Sequence, residues 1–395
     1  MKDSNNIFRF ATKELSQDAF LCWSINWINA GIEHPLYQYG KDILDLFLGD
    51  DKQEEYYDVE LRCQYEKIDV LVMFKDSLGK QHALIIEDKT NTSEHDNQID
   101  NYRKKLDGKL KNEEGLKEYS IHLAYVKTGI MYDDDVRMID KGATVIDLEK
   151  LLEKVVDYGN RDVSEILSDF NAHISGIKKH RDDIKDKIDN CEYEDTFNDP
   201  YGQFCFLDKL FNNRSKGIKI GTWHVEYKEN DNVYTDYIYA GTNRGGTPWT
   251  EYVFWRDKYS VNYKNLNVNE YHSLFWRVDR KWDKDKNKHR SYIALRHYDG
   301  QAHSNKKYLD ERKRFVYRKF RAIADKVAEN YPIRFYNIGV RENYKESDLL
   351  FIYLDENSGM QFDELSKLLV EITNIFIKES DNLYDGMEEA LKDYK

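Results

Sequence analysis

The chain has 395 residues, a formal net charge of −13, 40% hydrophobic residues and 14% aromatic residues, 30 tyrosines and 18 phenylalanines among them. That length can bury two separate cores, and no apolar run approaches the roughly 20 residues of a membrane span. The acidic balance argues against nonspecific coating of nucleic acid or of an anionic membrane, but locally basic patches can still touch phosphate.

The four cysteines, Cys22, Cys63, Cys191 and Cys205, are scattered and form no CxxC pair, so neither a zinc ribbon nor a dithiol redox motif is indicated. The eleven histidines show no HExxH spacing. The opening Met-Lys-Asp-Ser-Asn-Asn has no apolar stretch of the secretory kind, and a cytoplasmic protein with reduced thiols is expected.

In chain order, Thr12 to Asn29 carries apolar residues at helical spacing, with Glu14 in its first turn. Pro35 opens a second helix with its stripe at Tyr39, Ile43, Leu44, Leu46 and Phe47. Val59 to Tyr65 alternates as a half-exposed strand. Two apolar strands follow, Ile68–Phe74 and Ala83–Thr90, joined by a short polar turn. Their ionisable residues are out of place in a buried strand: Asp69 enters the first, and Glu87, Asp88 and Lys89 leave the second. Side chains alternate across a strand, so Glu87 and Lys89 share one face and Asp88 takes the other. Hairpin pairing brings Asp69 near Glu87, where two carboxylates repel unless a cation lies between them. A magnesium site beside a lysine is the natural expectation, with manganese as a substitute. Asp69 and Glu87 would be ligands, the Asp88 carbonyl a further oxygen, and Lys89 would act on the attacking water.

Glu94 to Leu110 reads as a polar helix with Gln98 and Tyr102 on one face, followed by a strand at 121–126 and another at 144–147. Strand, helix and strand in that order make a parallel crossover. Asp147 caps a helix starting at Leu148, and Arg161 to Lys187 is a charged helical stretch. The acidic segment 189–200, ending in Pro200, is the expected domain boundary. Beyond it strands are expected at 218–227, 233–240, 252–255, 333–338 and 349–354, with helices at 269–282, 310–329 and from 362 onward.

The residues from Glu14 to Tyr102 resemble the PD-(D/E)XK nuclease superfamily, in a bacterial branch. Glu87-Asp88-Lys89 is similar to its E-x-K element, Asp69 to the preceding aspartate, Glu14 to the glutamate of the first core helix, and Gln98 to the glutamine after the E-x-K strand. Ile68 stands where the family name has proline. The resemblance covers about 1–160. It implies a restriction-endonuclease-like α/β core, a mixed sheet flanked by helices, and says nothing of 195–395. The residue pattern itself gives the helical connector over 161–194 and an α+β domain over 195–395, expected to select substrate or sense a signal. The resemblance further implies a magnesium-dependent endonuclease acting on nucleic acid, DNA first, in bacterial restriction or antiviral defence. The implied catalytic set is Glu14, Asp69, Glu87, Lys89 and Gln98, with Glu14 also at the metal. Many such double-strand cutters pair two sites in a homodimer.

Other readings stay open on the residues alone. Glu87 and Lys89 also suit a solvated cross-strand pair worth under about 1 kcal/mol, and Glu14 an ordinary acid in a first helical turn. A regulator-gated effector cutting RNA or DNA shares the same catalytic half, its C-terminal domain binding the regulator. A non-catalytic nucleic-acid-binding protein would keep the fold without the chemistry.

Three further features are candidates for contact with nucleic acid or a ligand. Tyr102 and, after it on the helix following the E-x-K strand, the basic run Arg103, Lys104 and Lys105 suit contact with phosphates flanking the cut and, equally, an ordinary solvated helix face. From 305 to 326 nine basic residues face three acids, and Arg314, Arg318 and Arg321 alternate with Phe315, Tyr317 and Phe320, a pattern able to track a phosphate backbone. A solvated amphipathic helix is the plainer account. Trp249, Trp255, Trp276 and Trp282 suit a ligand pocket or, more simply, core packing.

Overall fold

Between Glu14 and Leu48 the helical apolar spacing produces two helices, α1 (Glu14–Asn26) and α2 (Tyr37–Leu48). A single 3-10 turn, Trp27–Ala30, ends the first, and Gly31 at φ 85 supplies the left-handed backbone that stops it. The computed structural model describes the chain except for 1–5, 11–13, 91–97, 114–118, 162, 194–195, 213, 215–218, 223–227, 230–231, 234–235, 243–247, 257–271, 300–305, 332–345, 358–359, 391 and 393–395.

Next come β1 (Tyr57–Tyr65), β2 (Ile68–Lys75), β3 (Gln81–Lys89), α3 (Gln98–Glu113), β4 (Tyr119–Lys127), α4 (Asp133–Val136), β5 (Ala143–Asp147), α5 (Leu148–Gly159) and α6 (Glu165–Asp189). The five strands form one sheet in sequence order. β1, β2 and β3 are antiparallel neighbours, while β3, β4 and β5 are parallel. The parallel step requires a crossover, and α3 provides it. Strand alternation sends Val70, Val72, Leu84, Ile86, Ala124 and Val126 to one face, packed with α1, α2, α5 and α6. Leu71, Met73, Ala83, Ile85, Leu123 and Tyr125 line the other face, with Tyr102 and Leu106 of α3. Covered on both sides, β2 and β3 read as nearly continuous apolar runs. Asp147 does cap α5, its carboxylate accepting from the Lys150 N–H at 2.9 Å. The short α4 had no sequence expectation.

The chain divides into two units, Met1–His180 and Arg181–Lys395, and the dividing line falls inside α6. The second unit contains α7 (Pro200–Phe211), β6 (Lys219–Thr222), β7 (Lys228–Glu229), β8 (Asn232–Val233), β9 (Tyr237–Thr242), β10 (Pro248–Arg256), β11 (His272–Asp283), β12 (Lys288–Asp299), α8 (Lys306–Asn330), β13 (Glu346–Tyr353), α9 (Phe362–Ser380) and α10 (Met387–Ala390). Its main sheet runs β13-β12-β11-β10-β9-β6, and α7, α8 and α9 share a core with one of its faces.

The helix expected at 269–282 is a strand. Leu274, Trp276 and Val278 enter the helix-covered core, while Phe275 packs elsewhere and Arg277 and Asp279 pair with one another. That is a period of two, and pairing with β12, which had no sequence expectation, enforces it. The strand expected at 333–338 lies outside the described residues. At the start of α7 backbone contact is unusually tight: a Cβ on Gly202 would collide with the Thr196 carbonyl oxygen. Gly202→Ala is therefore expected to destabilise the second unit by about 1–3 kcal/mol through overpacking. Thermal unfolding of the variant checks this, and an unchanged midpoint would contradict the contact.

Candidate active site

The first turns of α1 carry Glu14, Gln17 and Asp18, and α1 packs on the face that Ile86 enters. Asp88, two residues later, faces the same way. Gln17 Nε2 donates to Asp88 Oδ1 at 2.7 Å. The carboxyls of Asp18 and Asp88 also touch, and both residues are buried, at 1% and 0% exposure. Asp18 Oδ1 and Asp88 Oδ2 find no donor among the described groups. Two carboxyls this close repel when both are charged, and a shared proton relieves the repulsion. Burial, then the charge of Asp69, pushes Asp18 from 3.8 up to about 6. Burial and the Asp18 charge push Asp88 well above the usual carboxylate range.

The opposite face carries the acid-lysine set. Val70 pairs with Ile86, so the next step of the register sets Asp69 across from Glu87. Lys89 Nζ lies 2.6 Å from Glu87 Oε1 and 3.5 Å from Asp69 Oδ2. Both carboxylates thus reach the same ammonium, and Glu87 is only 1% exposed. Asp69 is held further by the Asp88 N–H, which donates to Oδ2 at 3.0 Å, and by Gln64 Nε2, which donates to Oδ1 at 3.1 Å. Burial disfavours charge on Lys89, but Glu87, Asp69 and Glu14 outweigh it and hold the amine above the usual lysine range. A lowered lysine pKa, which would suit a proton acceptor, is therefore not what this arrangement gives.

The other candidate residues fall as follows. Glu14 Oε1 accepts from the Thr90 N–H at 2.9 Å, which ties the start of α1 to the end of β3. The Asp88 side chain is committed to α1, so only its main chain is available on the Lys89 side. Gln98 opens α3, and its side chain lies outside the described residues. Tyr102 is buried in the core under α3 and does not face solvent as a phosphate-contacting residue would. Arg103 and Lys104 on the same helix are exposed.

The basic helix in the second unit is corrected in one respect. Val316, Tyr317 and Phe320 are buried in the core, so these aromatic rings are not offered to bases. Arg321 donates to the Leu349 carbonyl at 3.1 Å and pairs with Asp325, and Arg314 pairs with Glu311; Arg318 is exposed. The tryptophans do not line one pocket. Trp276 is fully buried and donates to Thr373 Oγ1 at 2.8 Å, whereas Trp282 is largely exposed.

Four residues near the site were not picked out in the sequence. Gln17 and Asp18 stand three and four residues after Glu14, a spacing that places all three on one side of a helix. Gln64 had no signal beyond its place two residues before the hairpin turn. Lys127 pairs in the parallel register with Lys89, and its ammonium donates to Asp135 Oδ2 at 2.5 Å, both residues being fully buried. Burial pushes Lys127 below the usual lysine range against the opposing pull of Asp135.

Among the described residues no group of three or more His, Cys, Asp or Glu side chains is disposed to hold a metal ion. Magnesium does not require one, because one or two carboxylates suffice when water and phosphate complete its shell. Asp69 and Glu87, already converging on one cation, meet that requirement.

The Asp18–Asp88 proton has a measurable consequence. The folded state holds it more tightly than the unfolded chain does, so the stabilisation from this pair is fully present below about pH 4 and is lost as pH rises through about 6. Urea denaturation between those limits should show the decline, and Asp18→Asn should flatten it. An increase in stability over that interval would contradict the pair. No protein-family model, curated protein or solved structure matches this chain.

Proposed function

We propose that the chain is a metal-dependent phosphodiester hydrolase, a nuclease built on the PD-(D/E)XK plan with a restriction-endonuclease-like N-terminal core. One observation carries the reading: Asp69 and Glu87, from adjacent strands, both reach the Lys89 ammonium. That geometry joins an acid pair fit for magnesium to a cation that can lie against a phosphate. The order of the sheet, with an antiparallel hairpin leading into a parallel crossover, is in keeping with the same plan.

When bound, the magnesium ion would neutralise charge on the scissile phosphate and activate water. Asp69 and Glu87 would hold it. Asp69 arrives pre-oriented, since both its oxygens already accept hydrogen bonds. Lys89, kept as an ammonium by its two acids, would orient the attacking water and offset charge on the phosphate oxygens, not abstract a proton. Glu14 would fix α1 against the strand end and add negative field. Arg103 and Lys104 are the exposed groups on α3 suited to flanking phosphates. DNA is the proposed substrate and bacterial restriction or antiviral defence the proposed setting.

The test is incubation with plasmid, single-stranded DNA and RNA, in magnesium, in manganese and in chelator, comparing wild type with Lys89→Ala. Magnesium-dependent cleavage of DNA that disappears with chelator and with the variant is expected. No cleavage of any substrate by wild type, or cleavage indifferent to Lys89, would remove the reading. Cleavage of RNA alone would keep the chemistry and change the substrate.

A further inference from the structure

β1 pairs Cys63 with Val70 and Tyr65 with Ile68, and only Glu66 and Lys67 make the turn into β2. Both have positive φ, 55 and 76, as a tight two-residue hairpin demands. Gln64 also has φ 55, yet it lies inside the strand, where the turn asks nothing of it. A left-handed backbone at a residue with a side chain is costly, and it persists where the surroundings impose it, commonly at functional sites.

What the twist accomplishes is visible at the side chain. Gln64 Nε2 donates to Asp69 Oδ1 at 3.1 Å and to Asp18 Oδ2 at 2.9 Å. Both neighbours are carboxylate oxygens, so the donor end of the amide must face them. One nitrogen therefore joins a strand carboxylate to a helix carboxylate. The circuit closes through the Asp18–Asp88 contact and the Asp88 N–H donated back to Asp69. Within this ring Gln64 is the member from the exposed edge strand, and its amide is the group that holds Asp69 Oδ1 among the described residues.

We propose that Gln64 is a positioning residue for the metal carboxylate Asp69, and that its strained backbone exists to deliver that amide. The inference rests on the nuclease reading above. Groups that orient metal ligands without touching the metal typically control affinity by 10- to 100-fold.

Two variants of the full chain separate this role from a structural one. Gln64→Gly removes the amide and relieves the backbone strain; Gln64→Ala removes the amide and keeps the strain. Manganese binding, followed by calorimetry or by the electron paramagnetic resonance of free ion, is compared with the thermal midpoint. Both variants should bind manganese about tenfold more weakly, while the glycine variant unfolds at or above the wild-type temperature and the alanine variant below it. At saturating manganese the glycine variant should recover most of its turnover, so the defect lies in metal dependence. Wild-type affinity in the glycine variant, or weakening that appears only in the alanine variant, would overturn the role of Gln64 while leaving the nuclease reading intact. Failure of the wild type to bind manganese would overturn both.

Discussion

Glu87→Gln should lower phosphodiester cleavage by roughly a thousandfold while leaving the fold in place, and Lys89→Ala should cost at least as much. The two substitutions fail for different reasons. Glu87 is nearly fully buried and lies 2.6 Å from the lysine, so glutamine keeps its shape and loses only the charge. Lys89→Ala instead leaves Glu87 buried without its cation, and breaking such a pair costs about 3–5 kcal/mol in stability as well. Activity lost in both variants but stability lost mainly in the second is the expected signature, read from cleavage rates and urea midpoints on the same samples. The uncharged double variant Glu87→Gln with Lys89→Met supplies the folded control. If Glu87→Gln cut nucleic acid at the wild-type rate, the acid pair would have no part in chemistry.

The N-terminal half was legible in its sequence because its strands are buried on both faces. Continuous apolar runs such as 68–74 and 83–86 have few alternatives, and charged residues placed within them stand out. Asp69, Glu87 and Lys89 were visible for that reason, and the structure brings all three together. Gln64 and Asp18 were not, because an exposed glutamine and an acid near a helix start are ordinary in a chain that is 34% charged. Only the left-handed backbone at Gln64 and the contact between Asp18 and Asp88 mark them, and neither is written in residue type. The second unit misled for another reason. In 272–283 tryptophan, arginine and aspartate interrupt the apolar residues, and the helix expected at 269–282 is instead a strand that turns Leu274, Trp276 and Val278 into the core. Which period holds there is decided by twelve residue pairs with β12, a long-range fact. The basic helix α8 shows the converse: its interleaved aromatics were real, but tertiary packing turned them inward.

Asp135→Ala should be among the most destabilising single changes in the N-terminal unit. Its carboxylate accepts from Lys127 Nζ and from Tyr125 Oη at 2.5 Å each, and from the Tyr132 N–H at 2.8 Å. The Lys127 ammonium also lies 4.1 Å from the centre of the Tyr132 ring. Removing the acid leaves a fully buried ammonium and a phenol without this acceptor, a loss on the order of 3–5 kcal/mol, or roughly 10 °C in the thermal midpoint of a unit this size. Lys127→Met combined with Asp135→Leu should restore much of it, because the burden is the desolvated charge and not the missing attraction. Lys127 lies beside Lys89 in the register, so the same variants report on the site: Asp135→Ala should reduce cleavage beyond what its unfolded fraction explains, and the double variant should recover the fold more fully than the rate. A double variant as unstable as Asp135→Ala would show that the pair contributes through specific bonding and not through charge cancellation, and the desolvation argument would fail at that point.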